Sequence, residues 1–280
     1  MMRGQRLAIV FVGVALCAIS APLWSQTVLY DNGPVFDSTG TGFGGADESV
    51  LQNVTLMEQD LGTAHGPSPF DQRVADDFTV TDPGGWQIGV VVLYAYQTNT
   101  STTSTLTSVN LRIWDGPPGD PGSSVVFGDT TTNRLISSSF SGVYRVSEST
   151  PLANNRAIMA NRVAVNTALG PGTYWLDWQT DGSLPNDGPW VPPVVVTGVG
   201  VTGNARSYSN TGTWGPLLDT GSSNAKGLPF ILESGTAAPT AAIPALDPVG
   251  IAIFVMMLAT AAWWHLRRRA EVAWPGRRPV

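Results

Sequence analysis

Apolar and polar residues along the middle of this chain alternate with the period of a strand far more often than with that of a helix. Leu106-Thr107-Ser108-Val109-Asn110-Leu111-Arg112-Ile113-Trp114 alternates until Asp115-Gly116-Pro117-Pro118-Gly119-Asp120-Pro121-Gly122 breaks it. Gly172-Thr173-Tyr174-Trp175-Leu176-Asp177-Trp178-Gln179 places Tyr174, Leu176 and Trp178 on one face. Trp86 to Tyr96 is so rich in Ile, Val and Leu that it reads as a strand buried on both faces. Further strands are predicted over 27–30, 74–80, 124–128, 134–140, 143–146, 157–165, 194–201 and 229–233. Turn sequences such as Asp31-Asn32-Gly33-Pro34, Asp82-Pro83-Gly84-Gly85 and the Gly-rich stretch 40–45 separate them. Only Asp47 to Asp60 could carry a helix of any length, and its pattern is poor. Without a repeat at fixed period, a propeller or solenoid is disfavoured. About ten to twelve short strands between such turns predict an all-β fold, a β-sandwich of jelly-roll-like or Ig-like wiring over 26–234.

The two ends follow another pattern. Val249 to Leu266 is apolar, carries no charge, and runs straight into Arg267-Arg268-Arg269. At ~1.5 Å per residue such a run reaches ~27 Å as a helix, close to the hydrocarbon thickness of a bilayer. It predicts a transmembrane helix over 249–266, with 267–280 a basic tail on the cytoplasmic side. Residues 235–248, rich in Ala, Pro and Thr, read as a linker. At the other end Arg3 and Arg6 precede an apolar stretch from Leu7 to Ile19, and small residues stand at Ala18, Ser20 and Ala21. That order predicts a signal peptide over 1–25, cut between Ala21 and Thr27, and hence an exported body.

Composition narrows the chemistry. Between Thr27 and Leu246 the sequence has 19 Asp and Glu against 8 Lys and Arg, a net charge near −11. Phosphate backbones are held by clustered cations, so a nucleic-acid partner is excluded. The single cysteine, Cys17, lies inside the predicted signal peptide, so no disulfide braces the exported body and an apolar core must hold it.

Ile243-Pro244-Ala245-Leu246, the nearby Gly250, the apolar span and Arg267-Arg268-Arg269 resemble the proline-led C-terminal sorting signals of Gram-negative bacteria. The likeness is to the type opening Ile-Pro-Thr-Leu, related in layout to the Pro-Glu-Pro type. It implies an exosortase-like membrane protease as partner, cutting at the motif and passing the body to the cell surface or matrix. Ala245 stands where that type has threonine, and eleven residues follow Arg269. The body is also similar to a domain of exported bacterial proteins of unassigned function. That likeness rests on Arg73-Val74-Ala75-Asp76-Asp77-Phe78, Ile113-Trp114-Asp115-Gly116, Gly172-Thr173-Tyr174-Trp175-Leu176 and Gly227-Leu228-Pro229-Phe230. It implies a fold and a location, and no activity.

Catalytic residue types are sparse. His65 is the one histidine of the body, in Thr63-Ala64-His65-Gly66-Pro67, and reads as an exposed loop residue. No Gly-x-Ser-x-Gly elbow accompanies it, and one histidine falls short of a zinc site. Asp76 and Asp77 are strand neighbours and point to opposite sides, one of them a candidate to accept from Arg73. Calcium is the one cofactor considered, with Asp115, Asp120 and Asp129 as candidate ligands beside their reading as turn residues. Trp190, set between Gly188-Pro189 and Val191-Pro192-Pro193, is the first candidate for an exposed carbohydrate platform, with Trp178 as the second. The function expected is structural or adhesive, at the cell envelope or surface, without enzymatic activity. The alternatives are a carbohydrate-binding module that takes a surface glycan and, third, a glycan hydrolase with two facing carboxylates.

Overall fold

In the computed structural model, which describes residues 26–67, 71–184, 187–209 and 211–235 together with 256, 259, 260, 263 and 264, the alternating segments become paired strands. In chain order these are β1 (Val28–Asp31), β2 (Asp47–Leu51), β3 (Thr63–Ala64), β4 (Arg73–Val80), β5 (Trp86–Ala95), β6 (Leu106–Trp114) and β7 (Val125–Gly128). They continue as β8 (Leu135–Ser147), β9 (Ala157–Leu169), β10 (Gly172–Gly182), β11 (Trp190–Val191), β12 (Arg206–Tyr208), β13 (Trp214–Pro216) and β14 (Phe230–Ser234). One six-stranded sheet runs β1-β14-β5-β9-β8-β2, a second runs β13-β12-β4-β10-β6-β7, and β11 pairs with β3 alone. All pairings are antiparallel except that of β2 with β8.

The sheets face one another across a shared core. Val91, Leu93, Val163, Phe230 and Leu232 come from the first sheet, and Val74, Phe78, Leu111, Ile113, Leu176 and Trp178 from the second. Each is a period-two position of its strand, and a fully buried side chain of this size contributes roughly 1.5–3 kcal/mol. The chain is therefore nearly all-β and folds as a β-sandwich.

Where the structure departs from the patterning, tertiary contacts explain it. Residues 47–51 form β2 rather than a helix, because a parallel ladder against Val143–Ser147 outweighs a weak local preference. The two strands expected over 134–140 and 143–146 are one strand, β8, whose register shifts between Phe140 and Val143. Gly142 takes φ 86° there, as a bulge residue does. Residues 194–201 form no ladder; the Val194 N–H bonds to the Gly227 carbonyl and that of Val195 to the Pro34 carbonyl. Further along, Gln52 donates to the Val196 carbonyl and accepts from the Gly198 N–H. The predicted signal peptide, the linker, the motif Ile243 to Leu246 and the cluster Arg267, Arg268 and Arg269 lie outside the described residues. Of the predicted span, Met256, Ala259, Thr260, Trp263 and Trp264 are described and helical. No helix of the described residues is long and apolar enough to cross a membrane.

Register fixes two poles. Ser234 lies opposite Ile88, and the Thr27 and Ser234 backbones bond to each other, so the chain enters and leaves the sandwich at the end where β5 begins. Ala95 pairs with Met159 at the opposite end, where the loops 96–105 and 148–156 and the residues 183 and 184 after β10 emerge. The ten residues of β5 put the poles about 30 Å apart.

Buried charge ties the loops on. Lys226, the sole lysine of the sequence, pairs with Glu58 where both are almost wholly buried, and its ammonium also donates to the Gly200 carbonyl at 3.0 Å. Glu58→Gln removes the counter-charge of a buried ammonium and should cost about 3–5 kcal/mol in urea denaturation. The double change Glu58→Met with Lys226→Met should cost less than that single change.

Candidate functional site

Tyr96 leaves β5 at the pole away from the termini and meets Trp190 at the start of β11. Each donates its backbone N–H to the other's carbonyl, both at 2.9 Å, which sets the two side chains on the same face. The segment 59–62 closes over them at Gly62, where a Cβ would stand 2.8 Å from Tyr96 Oη and 3.0 Å from Trp190 Cβ. Only glycine permits that approach. A recess of about 230 Å³ remains, lined by Gln59, Asp60, Leu61, Gly62, Tyr96, Thr98, Arg156 and Trp190.

Beneath it Arg145 is fully buried and bonds to no carboxylate among the described residues: Nε donates to the Leu61 carbonyl at 2.6 Å, Nη2 to the Asp60 carbonyl at 3.2 Å and Nη1 to Ser49 Oγ at 3.2 Å. Burial pulls its pKa down, while Tyr96, Glu58 and Asp37 nearby act the other way. Tyr96 is pushed up to about 12 by burial and so stays a neutral phenol. The Asp60 carboxylate is committed to Thr220, accepting from its N–H and its hydroxyl, both at 2.7 Å. Asn99 and Asn155, the chain neighbours of Thr98 and Arg156, line a second and shallower recess of about 520 Å³ with Thr100, Ser101 and Asn154. This pole can therefore offer an aromatic face, a guanidinium and several hydroxyl and amide groups to a ligand.

Of the residues singled out by sequence, Trp190 is in this recess and half buried. Trp178 is not a platform. It shares the inner face of β10 with Leu176, is 0% exposed and meets Phe230 edge-on at 6.2 Å between the sheets. Trp175 faces outward as its odd spacing from Trp178 requires, yet is only 6% exposed, because Arg206 lies over its ring. The three calcium candidates are not brought together, and no metal-binding cluster of His, Cys, Asp and Glu occurs among the described residues. Asp115 accepts from the Ser124 N–H, Asp120 pairs with Arg206, and Asp129 accepts from Thr131 and Thr132. Asp115 and Asp129 each close their own turn, which suits short carboxylate side chains, while Asp120 ties its turn to β12.

His65 corrects its reading as an exposed loop residue. It is wholly buried at the end of β3, its Nε2 is 3.0 Å from Thr180 Oγ1, and burial lowers its pKa to about 4. Arg73 pairs with neither Asp76 nor Asp77. It donates to Asp177 at 2.6 Å, and Asp177 also accepts from Arg112 and Trp114 on the outer face of the second sheet. Asp76 instead points into the sandwich, where Oδ2 accepts from Asn32 at 2.7 Å and from the Leu228 N–H at 2.8 Å, both from the first sheet's side. Burial outweighs these bonds and raises its pKa to about 7. Arg145, Tyr96 and Arg156 were missed in the sequence. Only Arg145 left a trace there, as a charge inside the run Val143-Tyr144-Arg145-Val146.

No protein-family model matches the chain, and the comparisons with curated proteins and with solved structures return no match.

His65 and Asp76 give the stability opposite pH dependences. His65 has a folded pKa of about 4 against an ordinary 6.5, so its contribution is complete above pH 6.5 and drains away as pH falls towards 4. Asp76 has a folded pKa of about 7 against 3.8, so its contribution is complete below pH 3.8 and is lost as pH rises to 7. Denaturation midpoints across pH 4–8 should separate them. Relative to wild type, His65→Gln should remove an acid-side loss of about 3 kcal/mol, and Asp76→Asn a neutral-side loss of similar size.

Proposed function

We propose that this chain is an exported envelope or surface protein of structural or adhesive type, a sandwich held by one pole and active at the other. The observation that carries the reading is the placement of the strand termini. Thr27 and Ser234 are bonded together at one end, and the recesses around Trp190 and Asn155 lie at the opposite end. A body tethered through residues following 234 would hold those loops farthest from its anchor. The predicted signal peptide over 1–25 supplies export in this account. The motif Ile243 to Leu246, the apolar span 249–266 as a single transmembrane helix and Arg267 to Arg269 supply the tether or the sorting step, with an exosortase-like protease as partner. The jelly-roll-like or Ig-like wiring expected of such a domain is part of the same proposal. A second reading, a carbohydrate-binding module, is favoured by Trp190 beside free polar groups, and the same placement serves it.

Intact mass and fractionation of the native protein test this. A mature species starting between Ala21 and Thr27 in the surface, medium or membrane fraction is expected. An end near Pro244 to Asp247 marks the sorted form, and retention of Arg267 to Val280 marks the anchored one. An uncut species starting at Met1 in the soluble cytoplasm would overturn the proposal.

A further inference from the structure

Eight Lys and Arg residues stand between 26 and 235, against a large acidic excess. Six of them pair with carboxylates: Arg73 and Arg112 with Asp177, Arg134 with Asp129, Arg162 with Glu233, Arg206 with Asp120, and Lys226 with Glu58. The two that pair with no carboxylate among the described residues are Arg145 and Arg156: Arg156 lines the distal recess, and Arg145 holds the backbone of two of its lining residues. Arg145 lies under its floor with every bond directed to the protein's own oxygens. Arg156 is at its wall, and its one side-chain partner is Asn155 Oδ1 at 3.5 Å, a marginal bond. An unpaired, half-buried guanidinium in so acidic a domain is a place for an external anion.

Other groups there are equally uncommitted. The Tyr96 hydroxyl, the Thr98 hydroxyl, the Gln59 amide and the Trp190 indole N–H make no hydrogen bond to the described residues, although all four side chains line the recess. Such groups near an aromatic face suit a ligand with an apolar ring face and a polar rim. The volume, about 230 Å³, is below the ~300 Å³ at which pockets enclose drug-sized molecules, so one ring is the scale.

We propose that this recess binds a carboxylate-bearing sugar ring, a hexuronic acid unit of an extracellular polysaccharide, stacked on Trp190 with its carboxylate on Arg156. Its hydroxyls meet Tyr96, Thr98 and Gln59, and the adjoining Asn99 and Asn155 receive the next unit of the chain. The inference rests on the surface reading above for its supply of ligand. Its geometry stands on the recess alone.

The test uses the full chain in detergent micelles, titrated with trigalacturonic acid and with its methyl ester, which keeps the ring and removes the charge. Tryptophan fluorescence and calorimetry at 0.15 M salt should show saturable binding of the acid, at least about tenfold tighter than of the ester, as a charge-assisted pair implies. Arg156→Gln should abolish that difference, and Trp190→Leu should remove the fluorescence change; each variant's thermal unfolding must match wild type, and Thr98→Val gives a milder second probe expected to weaken binding severalfold. Equal binding of acid and ester, unchanged binding in Arg156→Gln, competition by acetate alone at equal concentration, or no binding by about 10 mM would each overturn it. A surface-located protein that fails this titration would sink the sugar site and leave the display reading standing. A cytoplasmic protein that passes it would do the reverse.

Discussion

The buried guanidinium of Arg145 is the constraint on which the distal pole depends. It projects from the outer face of β8, is wholly removed from water, and spends its donors on the carbonyls of Leu61 and Asp60 and on Ser49. A charge so placed is costly to desolvate, and it can only be kept where its hydrogen bonds are satisfied. Those bonds hold the segment 58–62 against the first sheet. From there the ties spread: the Gln59 and Asp60 N–H groups donate to Asp219, and Glu58 reaches Lys226. One arginine therefore positions the backbone that closes over Tyr96 and Trp190, and Arg156 stands beside it with no carboxylate partner among the described residues.

The same logic recurs on the second sheet. Asp177 is buried on the outward face of β10 and gathers Arg73, Arg112 and Trp114, while Gln179 and Asn110 bond each other and Arg73 alongside. Both sheets thus carry covered outer faces, one under long loops and the other under a lattice of polar and aromatic side chains. Buried polar groups that are nearly all paired make a specific arrangement rather than a large gain in stability. The free energy of folding comes mainly from the apolar layer between the sheets.

That layer was legible in the sequence. Leu106 to Trp114 and Gly172 to Gln179 alternate cleanly, and both are strands whose inner residues meet in the core. The pattern misled where burial is two-sided or where pairing is long-range. Asp47 to Leu51 has no strand pattern of its own and gains one from β8. Trp178 and His65 were placed outside because residue type says nothing of which layer covers a position. The recess escaped notice for a further reason. Its walls come from segments near 60, 97, 156 and 190, far apart in the sequence, and only the register of β5 with β9 and the Tyr96–Trp190 bridge bring them together. A lone cation in a sequence carries no sign of whether a carboxylate waits for it in the fold.

Native-state hydrogen exchange of wild type against Arg145→Met is the most direct measurement of this account. If the guanidinium holds the segment over the recess, the Gln59 and Asp60 amides should lose most of their protection while the amides of β9 and β10 keep theirs. Unchanged protection at Gln59 and Asp60, or a uniform loss through both sheets, would contradict it.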